Sequence, residues 1–324
     1  MTKAIRIHQA GGPEVLSWDD IEVGDPGPGE ARVRQTAVGL NYIDVYHRSG
    51  LYPIGDLPQA IGTEAAGVVE AIGDGVSEVV VGDRVAYSPV LGAYAQERVM
   101  PAAKLIKVPD SIDDNTAAAM MLKGMTASYL LRRTYVVQPG DVILVMAAAG
   151  GVGQILSQWG KYLGATVIGC VGSEEKAEIA KACGCDHTIL YNSEAVAARV
   201  KEITDGTGAA VSYDGVGQST YTASLDSLKP MGYMVSFGNA SGPVSTIEVA
   251  DLASRGGLFF ARPSLMPHTA TREMLVDLAD ALTEVIGSGT VKISVNQTYP
   301  LSDTEQAHRD LEARRTTGCT VLLP

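Results

Sequence analysis

Residues 142–153 read VILVMAAAGGVG, an apolar run that passes directly into a turn of small residues. Beyond the turn Val152, Ile155, Leu156, Trp159 and Leu163 recur at helical spacing, and Gly164 marks a stop. Strand, tight glycine turn and amphipathic helix together hold the pyrophosphate of a dinucleotide. Backbone N–H groups at the helix start face the phosphates, and a side chain in the turn would block their approach. The turn, Ala148-x-Gly150-x-x-Gly153, departs from GxGxxG by an alanine in first place. On these letters alone it reads equally as a plain strand-to-helix turn.

The next residues weigh toward a dinucleotide. A second strand is expected over residues 165–171. In an NAD site it should end on Asp or Glu about twenty residues past the glycines, to bind the ribose 2′-hydroxyl. Gly172 stands there instead, followed by Ser173 and Lys176. A missing carboxylate with a cation close behind suits a 2′-phosphate, so NADPH is favoured over NADH. Glu174 and Glu175 argue the other way, as acids at an ordinary helix start. On this reading Ala149, Gly150, Gly151, Val152 and Gly153 meet the pyrophosphate, and Ser173 and Lys176 meet the 2′-phosphate.

The same alternation of strand and helix continues outward. Helices are expected at 174–182, from Ser193 to 203 and at 221–228, with strands at 187–191, 209–213, 233–237 and 258–261. This pattern implies a parallel sheet covered on both faces. Before it, residues 1–122 hold short strand-like runs (4–8, 31–39, 65–72, 84–87) broken by Gly and Pro, as in the turn cluster GDPGPGE at 24–30. After it, a tail from 263 carries a helix at 272–286, a strand at 293–299, a short helix opened by the capping box Ser302-x-x-Glu305, and a last strand at 319–323. The tail is too small for a domain and is expected to complete the first one. The division is therefore 1–122 with 263–324, and 123–262.

Bulk properties exclude several classes. With 324 residues, 46% hydrophobic and 19% charged, the chain supports a large core and two domains. A net charge of −12 disfavours general binding to nucleic acid or anionic membranes. No apolar run reaches the length of a membrane span, and the N-terminus lacks the apolar core of a signal peptide. The four cysteines form no disulfide framework, so a cytoplasmic protein is expected.

Several stretches sharpen the reading: Asn41-Tyr42-Ile43-Asp44 with Tyr46 and Tyr52, Gly62-Thr63-Glu64, Val81-Gly82-Asp83-Arg84-Val85, the glycine turn, Val235-Ser236-Phe237-Gly238-Asn239, and Arg262-Pro263-Ser264-Leu265. In this order and spacing they resemble the quinone oxidoreductase (zeta-crystallin-like) branch of the medium-chain dehydrogenase/reductase superfamily, over essentially the whole chain. The resemblance implies an α/β fold: a Rossmann doubly wound parallel sheet inserted in a GroES-like, β-rich catalytic domain. It also implies a homodimer formed through sheet edges.

Zinc-dependent relatives place a cysteine where this chain has Asn41 and a histidine where it has Thr63, and neither replacement suits catalytic zinc. No cysteine precedes residue 123, which leaves no structural-zinc lobe either, so no metal is expected. NADPH would then pass hydride to an acceptor that needs little activation, a quinone or a conjugated enone. Asn41, Tyr46 and Tyr52 are the candidate acceptor residues, because an amide and two phenols can hydrogen-bond a quinone oxygen as charge develops on it. Asn41 reads also as a helix cap, and Tyr46 as a packing residue. Similar reductases use a tyrosine after the third strand, here Tyr191, and an arginine in the tail, here Arg314, with Arg315 beside it. Phe237 and Asn239 end a strand near the expected nicotinamide position, and Thr126 is expected to begin a linking helix beneath it. Arg262 is a weaker candidate. An enone double-bond reductase is the near alternative, and a non-enzymatic NADPH- or RNA-binding protein the outside one.

Overall fold

Alternating apolar residues open the chain in strands. In the computed structural model, which describes residues 2–324, β1 (Thr2–Ile7) and β2 (Leu16–Ile21) are followed by the long β3 (Glu30–Leu40) and α1 (Tyr42–Ser49). Next come β4 (Gln59–Ala60), β5 (Glu64–Ile72), β6 (Arg84–Tyr87), β7 (Glu97–Pro101), β8 (Ile106–Lys107) and α2 (Asp114–Tyr129). Strand and helix then alternate through β9 (Val142–Met146), α3 (Gly151–Tyr162), β10 (Thr166–Val171), α4 (Glu174–Ala182), β11 (His187–Leu190) and α5 (Val196–Ile203). The series continues with β12 (Ala209–Asp214), α6 (Tyr221–Asp226), β13 (Leu228–Ser236), α7 (Val249–Ser254) and β14 (Phe259–Ala261). The chain ends with α8 (Leu265–His268), α9 (Arg272–Gly287), β15 (Val295–Pro300), α10 (Thr304–Glu312) and β16 (Cys319–Leu323).

Two units result. One holds the residues up to Met125, His268–Thr283 and Ile293–Pro324; the other holds Thr126–Pro267 and Glu284–Lys292. The chain passes between the units inside α2, inside α8 and inside α9, and again after Lys292, rather than at 122/123 and 262/263 alone. Residues 284–292 stay with the second unit because Gln158 of α3 grips the Lys292 backbone at both ends, donating to its carbonyl at 3.1 Å and accepting its N–H at 2.8 Å.

The second unit is built on a six-stranded parallel sheet in the order β11-β10-β9-β12-β13-β14. Numbered within the unit, this is 3-2-1-4-5-6, the doubly wound dinucleotide order. Its central strands are apolar throughout, with Ile143, Leu144, Val145, Val167, Ile168 and Val211 fully buried, as strands covered on both faces must be. Gly164, at φ +87°, supplies the left-handed turn that follows α3.

The first unit packs a seven-stranded sheet, ordered β15-β16-β3-β5-β6-β8 with β7 also on β3, against the three-stranded sheet β2-β1-β4. Strand β3 is its spine. It pairs antiparallel with β5, β7 and, through Leu40↔Thr320 and Val38↔Leu322, with β16 from the tail. Ile5, Ile7, Val33, Val38, Tyr87, Tyr94, Leu105 and Leu322 fill the core. The architecture is α/β, with the Rossmann sheet in one unit and a β-rich sheet pair in the other.

Three local expectations need correction. Thr126 lies near the C-terminal end of α2, not at a helix start. The helix begins at Asp114, preceded by Asp113, whose carboxylate takes the Thr116 N–H at 3.0 Å and the Thr116 hydroxyl at 2.7 Å. Ser302 caps nothing: it sits inside a 3₁₀ turn (Leu301–Asp303) that runs into α10, and Glu305 pairs with Arg309 one turn on. Ser193 belongs to a turn, and α5 starts only at Val196.

Candidate functional site

The glycine turn is shaped by its own backbone. After β9, Ala147 takes a left-handed φ of 55°, and the Ala148 N–H reaches back to the Cys170 carbonyl of β10 at 3.0 Å. Gly150 then caps α3 in extended conformation. The buried Gln154 side chain holds the Ala149 carbonyl at 2.8 Å. At the helix start Gly151, Val152 and Gly153 have N–H groups with no acceptor inside the helix, which makes an anion site. The glycines serve different ends. A Cβ on Gly153 would stand 2.7 Å from Ala148 Cα and nearer still to the Ala147 oxygen, so the turn itself excludes a side chain. A Cβ on Gly150 would meet only that oxygen, at 3.2 Å. Beyond it lies open space, the room a phosphate needs.

At the end of β10 the chain meets a tyrosine. A Cβ on Gly172 would stand 2.7 Å from the Tyr191 hydroxyl, and the Asn192 amide donates to the Gly172 carbonyl at 2.9 Å. Ser173 caps α4, its hydroxyl oxygen accepting the Lys176 N–H at 3.3 Å. Lys176 is half-buried, while Glu174 and Glu175 are exposed. Gly172, Ser173, Lys176 and Tyr191 thus gather around one strand end that presents a cation, a hydroxyl and a phenol, and no carboxylate at position 172.

The neighbouring strand ends are pinned by Asp214. Its fully buried carboxylate accepts from Val216 N (2.8 Å), Gly217 N (3.0 Å), Thr220 Oγ1 (2.7 Å) and Ser224 Oγ (2.8 Å). Phe237 lays its ring over Gly215, where a Cβ would come within 2.9 Å of Cζ, and Asn239 is buried just beyond. Thr126 hydrogen-bonds the Tyr129 phenol, which burial holds above its usual pKa and the Arg262 guanidinium partly offsets. Arg262 also donates to the Ser236 carbonyl at 3.0 Å, so it reaches the end of β13. Tyr129 escapes a sequence reading because nothing marks it apart from other buried aromatics.

In the first unit, Tyr46 and Tyr52 meet on and just after α1, the helix that Asn41 caps. Asn41 caps α1, and its N–H donates to Asp44 Oδ2 at 2.8 Å. The Tyr46 and Tyr52 rings meet edge-on with centroids 5.1 Å apart, and Tyr42 lies 5.6 Å from Tyr46 on the other side. Tyr46 is buried, so it packs as well as lining this cluster.

A buried polar network lies behind them. Asp44 accepts Tyr94 Oη at 2.9 Å and Thr63 Oγ1 at 3.2 Å besides the Asn41 N–H. Burial nevertheless raises its carboxyl to about 7, with those donors and Lys123 pulling the other way. Tyr94 touches His308 Nε2 at 3.1 Å, and His308 Nδ1 faces Arg48 Nη1 at 2.9 Å. Arginine only donates, so Nδ1 accepts and the imidazole is neutral with its proton on Nε2. Burial, helped by Arg48, depresses this histidine to about 3. Arg48 goes on to Glu312 at 2.5 Å and the Gly11 carbonyl at 3.1 Å. Glu64 takes Asn41 Nδ2 at 2.8 Å, the Leu122 N–H at 2.8 Å and Lys123 at 3.4 Å. Of these groups only the Asn41–Asp44 pair has a local signal, the three-residue spacing of a reciprocal cap.

Arg314 follows α10 at φ 59° and lies within electrostatic reach of the Tyr42 phenol, whereas Arg315 is engaged by Asp310 at 2.8 Å. Among the described residues no group of three or more His, Cys, Asp or Glu side chains is placed to hold a metal ion.

Residues 27–110 match the alcohol dehydrogenase GroES-like domain family, and residues 151–282 the zinc-binding dehydrogenase family. The chain is 50% identical over 325 residues to the quinone oxidoreductase of Pseudomonas aeruginosa, with 100% of both chains covered. It is 47% identical over 331 residues to a 2-haloacrylate reductase of Burkholderia, covering 100% of this chain and 99% of the relative. The crystal structure of Escherichia coli quinone oxidoreductase complexed with NADPH superposes with a TM-score of 0.97 at 45% identity, over 99% of this chain and 100% of that one. This chain belongs to the quinone oxidoreductase branch of the medium-chain dehydrogenase/reductase superfamily.

Proposed function

We propose that this chain is an NADPH-dependent quinone oxidoreductase that works without a catalytic metal. The observation that carries the reading is the end of β10, where Gly172, Ser173, Lys176 and Tyr191 gather with no acid at position 172. A ribose 2′-hydroxyl lacks its usual carboxylate partner there, and a 2′-phosphate finds a cation and hydroxyl donors. The α3 N-terminus holds the pyrophosphate through Gly151, Val152 and Gly153, with Ala149 and Gly150 shaping the approach. Phe237, Asn239 and Thr126 border the nicotinamide, and Arg314 serves the cofactor from the tail. Bound NADPH supplies a hydride.

Asn41, Tyr46 and Tyr52 orient the acceptor and stabilise the charge that develops on its oxygen. The Asn41 nitrogen donates to Glu64 at 2.8 Å and, more weakly, to the Gly39 carbonyl at 3.4 Å. A quinone oxygen would take the second N–H in place of that weaker bond. Asn41 and Thr63 suit no catalytic metal: the amide is committed to Glu64 and the Thr63 hydroxyl donates to Asp44.

Enone reduction on the same residues is the second reading. It draws support from the relationship to a 2-haloacrylate reductase, a name that denotes reduction of an activated double bond. The protein works as a homodimer, through the edge of β14, where Phe259 is 45% exposed and stacks on Tyr233 at 4.6 Å. No helix among the described residues is long and apolar enough to cross a membrane. With four free cysteines, the chain suits the reducing cytoplasm.

The test is NADPH oxidation, followed at the reduced-nicotinamide absorbance, with benzoquinone, phenanthrenequinone and a conjugated enone in parallel, and again with NADH. Rapid quinone turnover that prefers NADPH is expected and should survive a strong chelator. Turnover with the enone alone would move the protein to the double-bond reductases, and activity lost to chelator and restored by zinc would end the metal-free claim.

A further inference from the structure

Behind Asn41 lies a buried ion pair that the steps above leave unused. Glu64 is fully buried and Lys123 nearly so, and Glu64 Oε2 receives both the Lys123 ammonium, at 3.4 Å, and the Asn41 amide, at 2.8 Å. Lys123 also donates to the Leu40 carbonyl at 3.2 Å, and the other Glu64 oxygen is taken by the Leu122 N–H at 2.8 Å. The site is made to hold this carboxylate. A Cβ on Gly39 of β3 would fall 2.6 Å from Glu64 Oε2 and closer still to the Ala118 carbonyl of α2. Buried ion pairs of this kind add little net stability, because desolvation offsets their attraction.

Orientation is what the pair does supply. An ionised carboxylate only accepts, so it can take only the N–H side of the Asn41 amide. A protonated Glu64 could donate to Oδ1 instead, in competition with the reciprocal α1 cap, in which the Asn41 side chain accepts the Asp44 N–H.

We propose that Glu64 and Lys123 are positioning residues for the acceptor step: Lys123 keeps Glu64 a carboxylate, and Glu64 fixes the Asn41 amide so that its second N–H faces the acceptor oxygen. The proposal rests on the quinone reductase reading. Few other ionisable groups face the pair: Asp44 on α1, Tyr94 in the loop between β6 and β7, and the Cys319 thiol on β16, which burial keeps protonated. Asp44 and Tyr94 are bonded to each other, which leaves Lys123 as the cation that governs Glu64.

The test uses the full-length protein with Lys123→Met, Lys123→Arg and the charge-neutral double variant Glu64→Gln/Lys123→Met. NADPH-dependent turnover of benzoquinone is measured from about pH 5 to about pH 8, with NADPH affinity determined separately and folding checked by thermal melting. Without its cation, Glu64 takes up a proton at the acid end, the amide loses its fixed sense, and kcat/KM falls roughly tenfold to hundredfold. The loss should recover as the pH rises. Lys123→Arg should follow the wild-type profile. The double variant should be low and flat across pH, since Gln at position 64 neither titrates nor dictates the amide's sense, and it carries the test if Lys123→Met does not fold. NADPH affinity should stay within about twofold, because neither residue is among those assigned to the cofactor.

Wild-type profiles in Lys123→Met and the double variant would overturn the proposal, as would a loss of NADPH affinity equal to the loss of turnover. Failure of the wild-type protein to reduce benzoquinone would instead remove the functional reading itself, and this proposal with it.

Discussion

The hydroxyl of Tyr191 stands 2.7 Å from the point where a Cβ on Gly172 would lie, so the end of β10 is closed by a phenol where an NAD site carries an acid. Lys176, half-buried in the first turn of α4, is on the proposed reading the cation for a 2′-phosphate. Lys176→Ala should raise the Kd for NADPH about tenfold or more and leave that for NADH within about twofold. Fluorescence titration with both cofactors checks this, and equal weakening would detach Lys176 from the 2′-phosphate.

The two outer glycines of the turn should fail in different ways. Gly153→Ala forces a Cβ against the Ala147 and Ala148 backbone and should lower the melting temperature by several degrees, the scale of a roughly 2 kcal/mol strain. Gly150→Val places its side chain outward, so the protein should melt near the wild-type temperature yet bind NADPH at least tenfold more weakly. A folded Gly150→Val protein with unchanged NADPH affinity would refute the phosphate assignment.

Asp44 should leave a mark on the pH dependence of stability. Its folded carboxyl sits at about 7 against an ordinary 3.8, so the folded state holds the proton more tightly than the unfolded chain does. Stability from this group is full below about pH 4 and is lost as the pH rises toward 7, at about 1.4 kcal/mol for each pH unit between the two values. Asp44→Asn keeps every hydrogen bond if the Thr63 hydroxyl turns from donor to acceptor. The variant should therefore be the more stable protein at pH 8, and its unfolding free energy should vary less between pH 4 and 7. Denaturant titrations across that range decide it; a variant less stable at every pH would show that the carboxylate is favoured in the fold.

Strand β14 pairs with β13 on one side and has no strand partner on the other among the described residues. Phe259→Glu puts a charge on that edge and should shift the protein from dimer to monomer in light scattering, with NADPH binding retained. A monomeric wild-type protein would end the edge-pairing idea.

What the sequence disclosed followed the range of each interaction. The glycine turn, α4 over Glu174–Ala182 and β6 over Arg84–Tyr87 depend on neighbours in the chain, and periodicity locates them. Thr126 was expected at a helix start because the run from Ala117 to Met121 carries no polar face to reveal the helix already under way; only Asp113, capping well upstream, betrays it. The Ser302 box matched the right letters, but the 3₁₀ turn under it moved the helix start to Thr304. Asn41, Tyr46 and Tyr52 are candidates through a family resemblance, and the fold pairs the two tyrosine rings. Their support was invisible: Arg48 meets His308, and Glu64 meets Lys123, across long stretches of intervening sequence. No pattern within a window reports such pairs.

The tail strand has a consequence for the order in which the molecule is made. The parallel sheet of the second unit has its last strand once Ala261 has been synthesised. The first unit must wait for β16, which docks on β3 at Val38–Leu40, immediately before Asn41, and for α10, which delivers His308 and Glu312 to Arg48. On the ribosome, the parallel sheet can therefore form while the sheet around β3 still has an open edge.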